Sequence, residues 1–121
     1  MKAAFDTNIL IDYISGIPQA KSTIDEIDEP IISAISWIEV MVGAKSSDEA
    51  DIIRSFLNGF HLCQLTQDIS EIAVAVRRAR KIRLPDAIIW ATAKHEGCML
   101  ITRNSRDFDP KAADIRIPYQ L

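Results

Sequence analysis

Residues 85–104 read PDAIIWATAKHEGCMLITRN, and this stretch decides the fold class. Pro85 suits the first turn of a helix, where its missing N–H is not needed. Apolar residues fill the middle of the segment, and Gly97 supplies a stop. Cys98–Ile101 then forms a short apolar run of the buried-strand kind, closed by the polar Thr102-Arg103-Asn104. A helix that leads directly into a buried strand is half of a parallel α/β unit.

The alternation continues in both directions. Ala3–Phe5, Ile31–Ile32 with Ala34–Ile35, and Leu62–Leu65 are three more apolar runs, each followed by a polar break and a helical pattern. Ile17, Ala20, Ile24 and Ile27 recur at helical spacing from Pro18. Ser36-Trp37-Ile38-Glu39 has the spacing of a capping box and predicts a helix that ends at Gly43. Ser47 to Phe56 or Leu57 reads as a helix stopping before Asn58-Gly59, and Ile69, Ile72, Ala73 and Val76 make one apolar helical face. Ile115–Pro118 reads as a short edge strand, because Pro118 limits pairing. The pattern predicts one α/β domain over residues 1–121, with a mainly parallel sheet covered by helices. Strand order does not follow from it.

Composition removes several function classes. The 121 residues are 48% hydrophobic and 26% charged, ordinary values that leave the class to be decided by motifs. No run approaches the ~18 apolar residues of a membrane span, and MKAAFD carries no apolar leader, so a cytoplasmic protein is expected. Cys63 and Cys98 form no CxxC pair, which argues against a zinc site or disulfide framework. Four scattered glycines exclude GxGxxG and the P-loop. His61 and His95 lack a nucleophile–acid pattern and read as structural, and Trp37 and Trp90 read as packing residues on apolar helix faces. The net charge of −3 hides an asymmetry: residues 1–76 balance at −8 and residues 77–121 at +5, with half of the later cations between Arg77 and Arg83.

Parallel strands joined by right-handed crossovers end at one sheet edge, where ligands bind. Asp6 follows the first strand, and Glu39 lies in the helix after the second. Asp86 sits in the first turn of the Pro85 helix, whose N-terminus must share that edge. Asn104 and Asp107 follow the Cys98–Ile101 strand. Singly, each acid has a structural reading: Asp6 as an N-cap, Glu39 as the capping-box partner of Ser36, Asp86 as a first-turn acid favoured by the helix dipole. Together they are harder to explain without a cation, since two carboxylates ~4 Å apart repel by about 4 kcal/mol at an effective dielectric of 20. Oxygen donors without histidine or cysteine suit Mg²⁺ or Mn²⁺, ions that activate water and clamp phosphodiester oxygens.

Four segments carry a family resemblance: Phe5-Asp6-Thr7-Asn8-Ile9-Leu10, Ser36-Trp37-Ile38-Glu39-Val40, Leu84-Pro85-Asp86-Ala87 through Ala93, and Leu100-Ile101-Thr102-Arg103-Asn104 running on to Asp107-Phe108. In this order and spacing the chain resembles the PIN-domain ribonucleases, and more narrowly the VapC-type toxins of toxin–antitoxin systems. The resemblance implies a three-layer α/β/α domain that binds Mg²⁺ or Mn²⁺ and hydrolyses single-stranded regions of RNA. It also implies a cognate VapB-type antitoxin and a homodimer, the commonest oligomer. Asp6, Glu39 and Asp86 match the family's first three acids. Asn104 stands where the fourth is often Asp, so either Asn104 or Asp107 fills that role. Thr7, Asn8 and Thr102 match polar positions that orient the acids or water.

Arg77, Arg80 and Arg83, with Arg103 beyond the last motif, are candidates for holding RNA phosphates; the alternative for the island is a solvated face at a helix C-terminus. Two other functions stay open. Asn104 in place of an acid suits a non-catalytic PIN-like module that binds protein or RNA. A phosphotransfer receiver domain also places acids at strand ends, but Asp6 lacks an acidic neighbour and Thr102 is followed by arginine rather than lysine.

Overall fold

The structure, a computed structural model, describes all 121 residues. The elements run β1 (Lys2–Phe5), α1 (Thr7–Ile14), α2 (Pro18–Asp25), β2 (Glu29–Ser33), α3 (Ala34–Val42), α4 (Ser47–Leu57), β3 (His61–Cys63), α5 (Gln67–Ala79), α6 (Leu84–His95), β4 (Met99–Ile101) and β5 (Ile115–Arg116). The five strands pair in the order β3-β2-β1-β4-β5, every pair parallel. β1 sits at the centre, with Ala4 opposite Ile31 on one side and Leu100 on the other.

Alternation along the strands sorts two cores onto the two sheet faces. Ala4, Ile31 and Leu100 face α5 and α6, meeting Val76, Ala87 and Trp90. Ala3, Phe5, Ile32 and Ile101 face the other way, toward Ile9 and Leu10 of α1 and Ile53 and Leu57 of α4. The result is the expected α/β/α sandwich with a parallel sheet. Trp90 is fully buried; its ring packs edge-on against Phe108 and its Nε1 donates to Asp114 at 2.9 Å, as a buried indole N–H requires. Gly97 ends the α6 region with φ of 65°, a conformation a β-carbon resists.

One boundary differs from the sequence reading in a way that matters. Ala34–Ile35 do not extend the second strand; they open α3, and the cap is Ser33, whose Oγ accepts from the Ile35 N–H at 3.1 Å. Ser36 is therefore an interior helix residue, fully buried, and the predicted Ser36–Glu39 capping box does not exist. Smaller differences concern ends: β3 covers His61–Cys63 rather than Leu62–Leu65, β4 begins at Met99, β5 stops at Arg116, and α2 ends at Asp25 before Ile27. No helix is long and apolar enough to cross a membrane.

Candidate active site

β1 ends at Phe5, and the next residue leaves the sheet as the N-cap of α1. Asp6 thus performs the capping role read from sequence: its Oδ1 accepts from the Thr7 N–H at 2.7 Å. Its second oxygen does more. Oδ2 accepts from the Thr102 hydroxyl at 2.7 Å and from the Asn8 side-chain amide at 3.1 Å. β1 and β4 are neighbours, so Thr102, the first residue past β4, lies directly beside Asp6. Asp6 is only 4% exposed. Burial pushes its pKa up to about 6; the bonds from Thr102 and Thr7 pull the other way, and the charges of Asp86 and Glu39 push it further up.

Asp86 lies in the first turn of α6 and is equally buried. Burial also raises its pKa, the Arg83 guanidinium opposes the rise, and Asp107 and Glu39 add to it. Arg83 is the N-cap residue of the same helix, and its Nε donates to Asp86 Oδ2 at 3.3 Å. Glu39 reaches the site from α3. Its Oε1 accepts from the Thr7 hydroxyl at 2.7 Å. Thr7 Oγ1 also lies 3.0 Å from Ser36 Oγ; since the Thr7 proton goes to the carboxylate, the Ser36 proton closes that second contact. Thr7 therefore links the acid on α3 to the Asp6 cap, through its side chain on one side and its backbone on the other.

The loop after β4 holds the fourth corner. The Asn104 amide donates to Asp107 Oδ2 at 2.9 Å, and the Asp107 N–H donates back to Asn104 Oδ1 at 3.2 Å. The Asn104 backbone N–H is held by Thr102 Oγ1 at 3.0 Å. An open polar cleft of about 490 Å³ runs beside this loop, lined by Asn8, Arg103, Asn104, Ser105, Arg106 and Asp107. Arg106 and Ser105 are additions that no spacing or motif in the sequence singled out.

The cations divide into two groups. Arg77 is exposed in the last turn of α5, and Arg83 stands at the acids. Arg80 instead lays its guanidinium 4.5 Å from the centre of the Trp90 ring. Arg103, grouped by sequence with the RNA-binding arginines, is tied down. Its Nε and Nη2 donate to the buried Asp12 at 2.7 and 2.9 Å, and the Tyr119 hydroxyl adds a third bond to Asp12 at 2.8 Å. Its backbone N–H meets Asn8 Oδ1 at 3.2 Å, so Arg103 fastens the loop to α1. Asp12 is a residue the sequence reading missed; its only signal is an acid on the inward side of a helix otherwise lined by Ile9 and Leu10.

The donor set fits a divalent cation. Asp6, Asp86, Glu39 and Asp107 bring only oxygens, two of them on buried carboxylates that their neighbours' charge disfavours. Three of the roughly four lone-pair sites of Asp6 are taken by protein donors, which fixes its plane and leaves one for a ligand.

Fold and site define a parallel α/β domain with a cluster of carboxylates at the C-terminal edge of its sheet. The chain belongs to the PIN-domain family, whose model matches residues 3–113. Among solved structures it is similar to a toxin–antitoxin complex from Klebsiella pneumoniae, with 44% identity, a TM-score of 0.93 and coverage of 98% of this chain and 99% of that one. DNA-bound VapBC from Salmonella typhimurium shares the fold at 24% identity and a TM-score of 0.82, over 97% of this chain and 96% of that one. FitAcB from Neisseria gonorrhoeae shares it at 20% identity and a TM-score of 0.81, over 98% and 99%. No curated protein matches the sequence.

Proposed function

We propose that this protein is the VapC-type toxin of a toxin–antitoxin pair, a Mg²⁺- or Mn²⁺-dependent endoribonuclease that hydrolyses phosphodiester bonds in single-stranded RNA. The observation that carries the reading is the pair of buried carboxylates, Asp6 and Asp86, set with Glu39 and Asp107 at one sheet edge. In this reading Asp6, Glu39 and Asp86 hold the metal. Asp107 is the fourth acid, and Asn104 positions it, because both polar atoms of the Asn104 side chain are engaged by Asp107. A bound divalent ion would supply an activated water and charge for the phosphodiester oxygens. Thr102 and Asn8 orient Asp6, and Thr7 orients Glu39. Arg83, paired with Asp86, would hold a phosphate flanking the scissile bond, and the exposed Arg77 would make a second phosphate contact.

An antitoxin of the VapB type and a homodimer belong to the same reading. A cleft of about 220 Å³ is lined by Ile11, Ile14, Val40 and Ile53 together with the carboxylates Glu39 and Glu49, and Ile11 and Ile14 are 46% and 40% exposed. A groove that pairs apolar side chains with two carboxylates suits an amphipathic segment with a basic residue. The deciding experiment is incubation of antitoxin-free protein with RNA in Mg²⁺, Mn²⁺ or chelator. Cleavage that needs the metal and disappears in Asp6→Asn supports the assignment. Metal-independent cleavage, or none with a folded protein in either metal, overturns it.

A further inference from the structure

Away from the acidic edge, one group of side chains gathers three different donor atoms. His61 and Cys63 are two residues apart on β3, so both leave the same face of that strand. Glu96 caps the C-terminus of α6. Their imidazole, thiol and carboxylate ligand atoms all lie within 4.8 Å of one another. This is not an extension of the carboxylate pocket: Asp86 and Glu96 are ten residues apart along one helix, about 15 Å at 1.5 Å per residue.

We infer that His61, Cys63 and Glu96 form a second metal site, for a borderline transition ion of the Zn²⁺ class. One nitrogen, one sulfur and one oxygen are a poor set for Mg²⁺, which takes oxygen, and a suitable one for Zn²⁺ or Co²⁺. Metal bonds of about 2.0–2.3 Å put tetrahedral ligand atoms ~3.5 Å apart, so the donors need to close by about an ångström.

Glu96 already has partners: Lys2 Nζ at 3.0 Å on one oxygen and His95 Nδ1 at 3.1 Å on the other. These occupy two of about four lone-pair sites. The Lys2 bond also holds the Glu96 carboxyl below its usual range, so it is an anion ready to ligate. Burial pushes the Cys63 thiol up to about 11, so the free protein keeps that proton. Binding then replaces the S–H bond with an S–metal bond and releases one proton to solvent per ion. Thiolate and carboxylate together balance the ion's two charges. The structural consequence is local. β3 is a three-residue edge strand paired only to β2, and the ion would fasten it to the α6–β4 turn.

The test is titration of the reduced full-length protein with Co²⁺ in excess Mg²⁺, which leaves the carboxylate pocket to the hard ion. The expected result is a thiolate-to-cobalt charge-transfer band that saturates at one Co²⁺ per chain, is displaced by Zn²⁺, and persists in Asp6→Asn. Cys63→Ser abolishes the band, and His61→Ala and Glu96→Gln weaken binding by roughly tenfold or more, about 1.4 kcal/mol. His61 is exposed, so its variant keeps the test valid if a change at the buried Cys63 disturbs folding. Absence of the band at stoichiometric Co²⁺, or a band that survives both Cys63→Ser and His61→Ala, overturns the site.

Discussion

Asn104 and Asp107 grip each other in both directions: the Asn104 amide donates to the Asp107 carboxylate, and the Asp107 N–H donates to the Asn104 carbonyl oxygen. The neutral residue at the expected acid position thus holds an acid three residues further on. Asp107→Asn is expected to lower Mn²⁺ affinity and cleavage together, by ~10-fold or more, since it removes a ligand charge. Asn104→Ala should lose less. Asn104→Asp places a second carboxylate where the amide now donates, so it should destabilise the metal-free protein, and Mn²⁺ should restore the loss. Calorimetric Mn²⁺ titration and thermal unfolding in chelator check all three. A silent Asp107→Asn beside an inactive Asn104→Ala would assign the fourth position to Asn104.

Asp6 gives a pH dependence with a definite sign. Its pKa is raised in the folded protein, to about 6, from an ordinary 3.8. Folding therefore favours the protonated form. The metal-free protein gains most from Asp6 below the unfolded value, and that gain is lost as pH rises through 6. At neutral pH the ionised, buried carboxylate costs up to about 3 kcal/mol relative to its unfolded state. Asp6→Asn should abolish cleavage yet raise the unfolding temperature in chelator at neutral pH, with the gain fading near pH 4. The Asn8 amide, left facing another amide, will take back part of the gain. An Asp6→Asn protein less stable than the parent at neutral pH would contradict the burial argument.

Salt dependence separates the arginines. Each contact to a single-stranded phosphate contributes about −0.7 to the slope of log affinity against log salt. Arg77→Ala and Arg83→Ala should each flatten the slope by about that amount. Arg103→Ala should leave the slope unchanged and instead lower stability, because it leaves Asp12, which is 6% exposed, with no cation and only the Tyr119 hydroxyl as side-chain donor. Arg80→Ala belongs with Arg103, since its guanidinium covers Trp90. Binding of a non-cleavable RNA at several salt concentrations, beside thermal melts, decides each residue's group.

Much of the site was legible because single residues announce it locally. Asp6 directly follows an apolar run, and Pro85-Asp86 marks a helix start, so two acids could be placed at one edge before any pairing was known. The start of α3 was not legible to the same degree. Ser33 and Ser36 both stand before apolar residues, and both have the composition of a cap. Only the depth at which β2 ends, set by its pairing with β1 and β3, chooses Ser33. The consequence for function is large, since a Ser36 inside the helix frees Glu39 from a capping role and turns it toward Thr7. Strand order was beyond reach, and so was the partner of Arg103, because Asp12 lies 91 residues away and meets it only after β1 and β4 align.

An antitoxin that silences this pocket must answer the same charge that a cation answers. The neighbouring acids raise the proton affinity of Asp6 and Asp86, and Arg83 is the only cation of the chain that pairs with one of the four. A basic side chain delivered from the groove beside Glu39 would supply the missing charge without chemistry, with Ile11 and Ile14 holding its apolar neighbours. Metal and antitoxin then compete for one set of carboxylates. At fixed antitoxin, raising Mg²⁺ should weaken inhibition, with an apparent inhibition constant that climbs by up to about tenfold per tenfold of Mg²⁺. Ile14→Glu should weaken inhibition as well, by putting a charge where the groove seats apolar side chains, while leaving cleavage by the free protein unchanged. If inhibition is indifferent to Mg²⁺ and the complex binds Mn²⁺ as the free protein does, the antitoxin acts on the path of the RNA and not on the acids.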